Sequence, residues 1–197
     1  MSDPRTLRRI RLENEYRELM AINGSIIRIE PLGSAPYERY RITYNIRTII
    51  SPRPEYRDST VCELSIPAGY PQAVPRMEAI TRPVPWHVNW FTSGSWCHGH
   101  WDEDSSLANF IYRCAKVLQF DPEFANPGSS ANSEALSFWH SNKNNRRVIP
   151  CDTQALPDPS GEVQAPQIPR IIIGRRNEAT TNQSNQSTPR ITIKPRS

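Results

Sequence analysis

The chain has 197 residues, four cysteines and a formal net charge of +4. That length allows one domain of ordinary size with a tail left over, and a core large enough to need neither disulfides nor a structural metal. Cys62, Cys97, Cys114 and Cys151 are widely spread, with no CxxC pair and no dense framework, which points to a reducing, cytoplasmic setting. The charged opening MSDPRTLRRIRLENEYREL does not read as a secretory signal. No run of about 20 apolar residues exists, so no membrane span is expected. Residues 160–197 hold six basic and two acidic residues and so carry the whole formal excess. A near-neutral body with a basic tail is only a weak nucleic-acid signal, and a nucleic-acid partner is not expected.

Residues 6–22 read as the first helix. Leu12, Tyr16 and Leu19 draw one apolar stripe, while Arg8, Arg9, Arg11, Glu15 and Glu18 fall on the polar faces. Asn23-Gly24 stops it. Strands follow at 25–31, 37–50, 59–66 and 77–81. The third alternates Val61, Glu63 and Ser65 against Cys62, Leu64 and Ile66. Their short connections suit an antiparallel meander. A second helix is expected over 105–119, with Leu107, Phe110, Ile111, Cys114 and Leu118 on one core-facing side, and a third over 132–140.

Between the last strand and the second helix the sequence changes character. Residues 83–104, PVPWHVNWFTSGSWCHGHWDED, hold four tryptophans and three of the four histidines with no helical or strand period. A loop this aromatic must be packed against the body, and a structured loop rich in Cys, His and Asn is where function is sought. Three readings of His87, Asn89 and Cys97 stand side by side. A thiolate at Cys97 could accept an acyl group and release it to an amine, with the Asn89 amide donating to the oxyanion. Cys97 with His87, His98 and His100 could instead hold a tetrahedral zinc. Or Cys97 is a packed core thiol and Asn89 a turn residue.

The order of these features resembles the ubiquitin-conjugating enzyme family over nearly all of residues 6–142. The family's His-Pro-Asn tripeptide looks like His87-Val88-Asn89. Its Gly-x-x-Cys looks like Gly94-Ser95-Trp96-Cys97, and Asn89 and Cys97 stand at the family's separation of eight residues. Tyr70-Pro71 with Pro75 behind it occupies the expected place. Trp101 resembles the tryptophan that follows the cysteine, though it sits closer. Asn126-Pro127 resembles the loop facing the cysteine, and Ser129 falls where many members carry an Asp or Ser that positions the incoming amine. Val88 departs from the tripeptide's proline. Trp86, Trp90, Trp96, His98 and His100 are not the usual choices, and the pattern looks most like divergent prokaryotic members.

The resemblance implies an α+β fold: an N-terminal helix, a four-stranded antiparallel meander, an active-site loop and C-terminal helices. It implies a domain over 5–155 that takes a ubiquitin-like modifier from an activating enzyme as a thioester on Cys97, with Asn89, His87 and Ser129 serving the transfer and no cofactor or metal. Several such bacterial members sit in antiphage operons, so an antiviral role is a further expectation. A non-catalytic binding domain of the same fold and a zinc-stabilised module are the alternatives. Residues 156–197 are expected to form a flexible Pro/Ser/Asn-rich tail. It carries Pro-Arg-Ile-x-Ile twice, at 169–173 and 189–193. Such β-prone peptides could add a strand to a sheet edge of a partner or of a second copy.

Overall fold

The structure, a computed structural model, describes residues 3–160. The two Pro-Arg-Ile-x-Ile repeats lie outside the described residues.

Helix α1 (Pro4–Ile22) begins with a proline in its first turn, where a missing N–H costs nothing. Its inward stripe is Leu12, Glu15, Leu19 and Ile22. The position of Glu15 corrects the sequence reading, which places it on a solvated face: it is 2% exposed. Its carboxylate accepts from the Leu107 N–H at 2.7 Å, from Arg11 Nε at 2.7 Å and from the Tyr70 hydroxyl. The charge is tolerated inside because every contact is a donor and one belongs to a helix N-terminus.

Strands β1 (Ile27–Leu32), β2 (Arg39–Tyr44), β5 (Thr60–Ser65) and β6 (Arg76–Ala79) form a four-stranded sheet in the order β1-β2-β5-β6. All three pairings are antiparallel, as in a meander. Side chains alternate across it, with Cys62 and Leu64 fully buried and Val61, Glu63 and Ser65 towards the other face.

The single long strand expected over 37–50 is broken. After Tyr44 the chain leaves the sheet and forms a separate hairpin, β3 (Thr48–Ile49) with β4 (Tyr56–Arg57). The turn between them contains Pro52 and Pro54, which cannot donate to a ladder. Its reward is a second core, in which Ile49 meets Phe120, Trp139 and Ile149.

Helix α2 (Leu107–Leu118) is capped by the Ser106 hydroxyl, which accepts from Asn109 N–H at 3.2 Å. Its buried face includes Phe110, Ile111, Cys114 and Leu118, and these join α1 and the sheet in the main core. After Gln119 ends the helix, Phe120 stands at φ 61, a left-handed position usually given to glycine. The second core holds its ring there. A short 3₁₀ turn (Pro127–Ser129) and helix α3 (Ser133–Asn142) follow. The stretch after α3 returns to the body: Asp152 accepts from the Arg47 N–H, and Leu156 is buried in the main core. No helix among the described residues is long and apolar enough to cross a membrane.

Candidate functional site

The cysteine loop is held on its incoming side by the sheet. Residues 94–96 dock on the outer edge of β6: Ala79 N–H donates to Gly94 O at 2.9 Å and Trp96 N–H to Met77 O at 3.0 Å. Gly94 has φ +113, and a Cβ on it would meet Ala79 O at 2.9 Å. No side chain fits there, so this glycine is dictated by backbone approach. Arg82 braces the same turn through Ala79 O and, at 3.0 Å, Ser93 O. Trp90 and Trp96 face each other across an antiparallel bridge, and the Trp96 ring meets Phe110 of α2 edge-on at 4.9 Å.

Asn89 ties three segments together. Its carbonyl accepts from Cys97 N–H at 2.8 Å. Its side-chain Oδ1 accepts from Asn126 N–H at 2.8 Å, while Nδ2 donates to Asn126 O at 2.9 Å and to Ser129 O at 3.4 Å. Ala131 N–H donates to Val88 O at 2.8 Å, extending the seam by one more bond. The 87–89 tripeptide is therefore zipped to 126–131, and Cys97 sits beneath that loop. The Cys97 Sγ lies 4.0 Å from Ser129 Oγ and 3.9 Å from Ser129 O, and the thiol is partly accessible. Cys97, Asn89 and Ser129, named from the sequence, are brought to one place.

His87 belongs to the support beneath it. Its ring is fully buried, edge-on to Phe120 at 4.6 Å, and its Nδ1 accepts from the Asn89 N–H at 3.0 Å. That acceptor role places the proton of the neutral ring on Nε2. Burial drives its pKa down to about 3. His87 is thus a neutral residue that shapes the tripeptide, and supplies no cationic imidazole to a thiolate. His98 packs its ring against Trp96 and Phe110. Burial, with the Arg113 guanidinium second, holds it below the usual histidine range. His100 is exposed. Among the described residues no three His, Cys, Asp or Glu side chains are gathered to hold a metal ion. The zinc set considered from spacing is not assembled, because His87 and His98 are committed to separate aromatic contacts.

A scan against protein-family models finds no match, and a search of curated proteins finds none either. The chain is thus characterised by its own geometry: an α+β domain with an N-terminal helix, a four-stranded antiparallel sheet and C-terminal helices.

Two contacts of this loop escape the sequence. Trp101 Nε1 donates to Pro71 O at 2.8 Å and its ring meets Phe110 edge-on, tying the outgoing loop to the Tyr70-Pro71 step. The resemblance marks Trp101 but not its partner. Arg113 of α2 donates to His98 O at 2.9 Å and to His100 O at 3.4 Å. Nothing in the sequence marks it, since it reads as one polar residue on an apolar helix.

Proposed function

We propose that this domain is a ubiquitin-conjugating-type acyltransferase. It carries a ubiquitin-like modifier as a thioester on Cys97 and passes it to an amine. The observation that carries the reading is the Asn89 seam, which sets a partly accessible thiol under a polar loop and against Ser129. A buried structural thiol needs no such arrangement. Cys62 and Cys114, by contrast, are fully enclosed, and burial pushes both thiols up.

In this reading the Cys97 thiolate attacks the thioester carbonyl of a modifier held by an activating enzyme, and the enzyme's thiolate departs with the electron pair. An acceptor amine then attacks the new carbonyl and the charge passes to oxygen. Collapse forms the C–N bond, breaks the C–S bond and returns the Cys97 thiolate, while the amine's proton leaves to solvent. Asn89 holds the loop that shapes this space, with its amide hydrogens directed at Asn126 O and Ser129 O. Ser129 orients the amine. His87 fixes the tripeptide. The modifier, the activating enzyme and an antiviral setting belong to the proposal, as does self-association through the tail.

The test is incubation with cognate activating enzyme, ATP and modifier. A conjugating enzyme yields an adduct cleaved by thiols, and Cys97→Ser yields a thiol-stable ester or none. A binding domain of the same fold yields no adduct with either protein.

A further inference from the structure

The thioester reading leaves one requirement unmet. An oxyanion forms when the amine attacks, and the Asn89 amide is already engaged by two carbonyls, at 2.9 Å and 3.4 Å. Another donor near Cys97 is needed. The segment just after the cysteine has an unusual tether. Residues 98–101 make no backbone–backbone hydrogen bond outside regular elements among the described residues. They are held instead by the fork of Arg113 on the carbonyls of His98 and His100 and by the Trp101 indole. Between the two gripped carbonyls stands Gly99 at φ +73, a left-handed turn that lets carbonyls two residues apart face one guanidinium.

A trans peptide sets its C=O and N–H on opposite sides. With His98 O drawn to Arg113, the N–H of Gly99 points away from α2. Gly99 itself adjoins the facing loop: a Cβ built on it would lie 3.9 Å from Asn126 Nδ2. This is the loop whose Ser129 rests against Cys97 Sγ. No backbone carbonyl accepts from the Gly99 N–H among the described residues.

We propose that Arg113 is a positioning residue for the aminolysis step at Cys97, fixing the peptide planes of 98–101 so that the Gly99 N–H donates to the oxyanion. The proposal rests on the reading of Cys97 as the thioester carrier. Two donors of one planar fork are required, so a lysine, with one point charge, cannot replace it.

The experiment uses the full chain and small molecules. Cys97 is S-acetylated with an acetyl thioester, and transfer of the acetyl group to Nα-acetyl-lysine is followed against S-acetylglutathione. The acetyl carbon leaves sulfur for the ε-amine, giving an amide and a free thiol. The wild type should react faster than the glutathione thioester. Arg113→Gln and Arg113→Lys, each acetylated at Cys97 to completion before the amine is added, should both lose roughly 10- to 100-fold in the maximal aminolysis rate, with half-saturating amine unchanged. Full activity in Arg113→Lys would show that charge suffices and overturn the fork. Loss of the wild-type unfolding transition in both variants would mark a folding role and overturn it too. Acylation intact and aminolysis undiminished in Arg113→Gln would remove the Arg113 proposal alone. A wild type that takes no acetyl group at Cys97, or transfers it no faster than glutathione, would overturn the site reading and this proposal together.

Discussion

Asn89 and His87 act on the same turn through different chemistry. The Asn89 side chain replaces water for three backbone groups of the 126–129 loop, so Asn89→Ala leaves the part-buried N–H and carbonyl of Asn126 and the carbonyl of Ser129 without this partner. The expected loss is about 1–3 kcal/mol of stability. On the proposed function, loading should persist while discharge to an amine falls by roughly 10²-fold or more as the loop loosens. Ser129→Ala should change discharge less, because in the proposed function Ser129 only orients the amine. Single-turnover loading and discharge assays separate these outcomes, and equal loss of both steps in Asn89→Ala would mark a purely structural role. His87 gives a pH signature. Its folded pKa of about 3 lies below the ordinary value near 6.5, so its contribution is complete above pH 6.5 and is lost as pH falls from there towards 3. Between pH 6.5 and the carboxylate range, stability should drop by about 1.4 kcal/mol per pH unit from this residue. Denaturant melts of His87→Gln should show a shallower slope; an unchanged slope contradicts the buried neutral ring.

Among the elements, α1 and α2 are joined through one carboxylate. Glu15→Ala strands the Leu107 N–H and the Tyr70 hydroxyl inside the protein, and should cost about 2–4 kcal/mol in chemical denaturation. Gly94→Ala forces a Cβ against Ala79 O at an unfavourable φ, and should lower stability by at least about 1–3 kcal/mol. A melt unchanged in either variant would contradict the contact described. The elements also show what the sequence could convey. Periodicity located α1, the sheet strands and α2 because each buries one face. It failed at Glu15, since a helical stripe cannot distinguish a solvated carboxylate from one that caps another helix. It failed at 45–49, where the prolines of the next turn and the distant ring of Phe120 pull the chain out of the sheet. The outer edge of β1 was also hidden. Ile29 N–H donates to Asn23 Oδ1, Gly24 N–H donates to Ile27 O, and Pro31 has no N–H. That edge is blunted at these positions.

For the whole molecule, the fold brings residues 87–89 and 97 of one loop together with 126–131 of another. The spacing of Asn89 and Cys97 was visible in the sequence because both lie on one loop. The approach of Ser129 was visible only through resemblance, and the grip of Arg113 not at all, because each depends on how the facing loop and α2 close over the cysteine. The central claim is that this closure serves a thioester. The most direct measurement is intact-mass and peptide mapping of the protein after incubation with its activating enzyme, ATP and the ubiquitin-like modifier. The account predicts one modifier per chain, on Cys97, released by reducing agent and absent in Cys97→Ala. A modifier adduct that persists in Cys97→Ala on Cys62, Cys114 or Cys151, or no adduct on the wild type while the activating enzyme is itself charged, contradicts it.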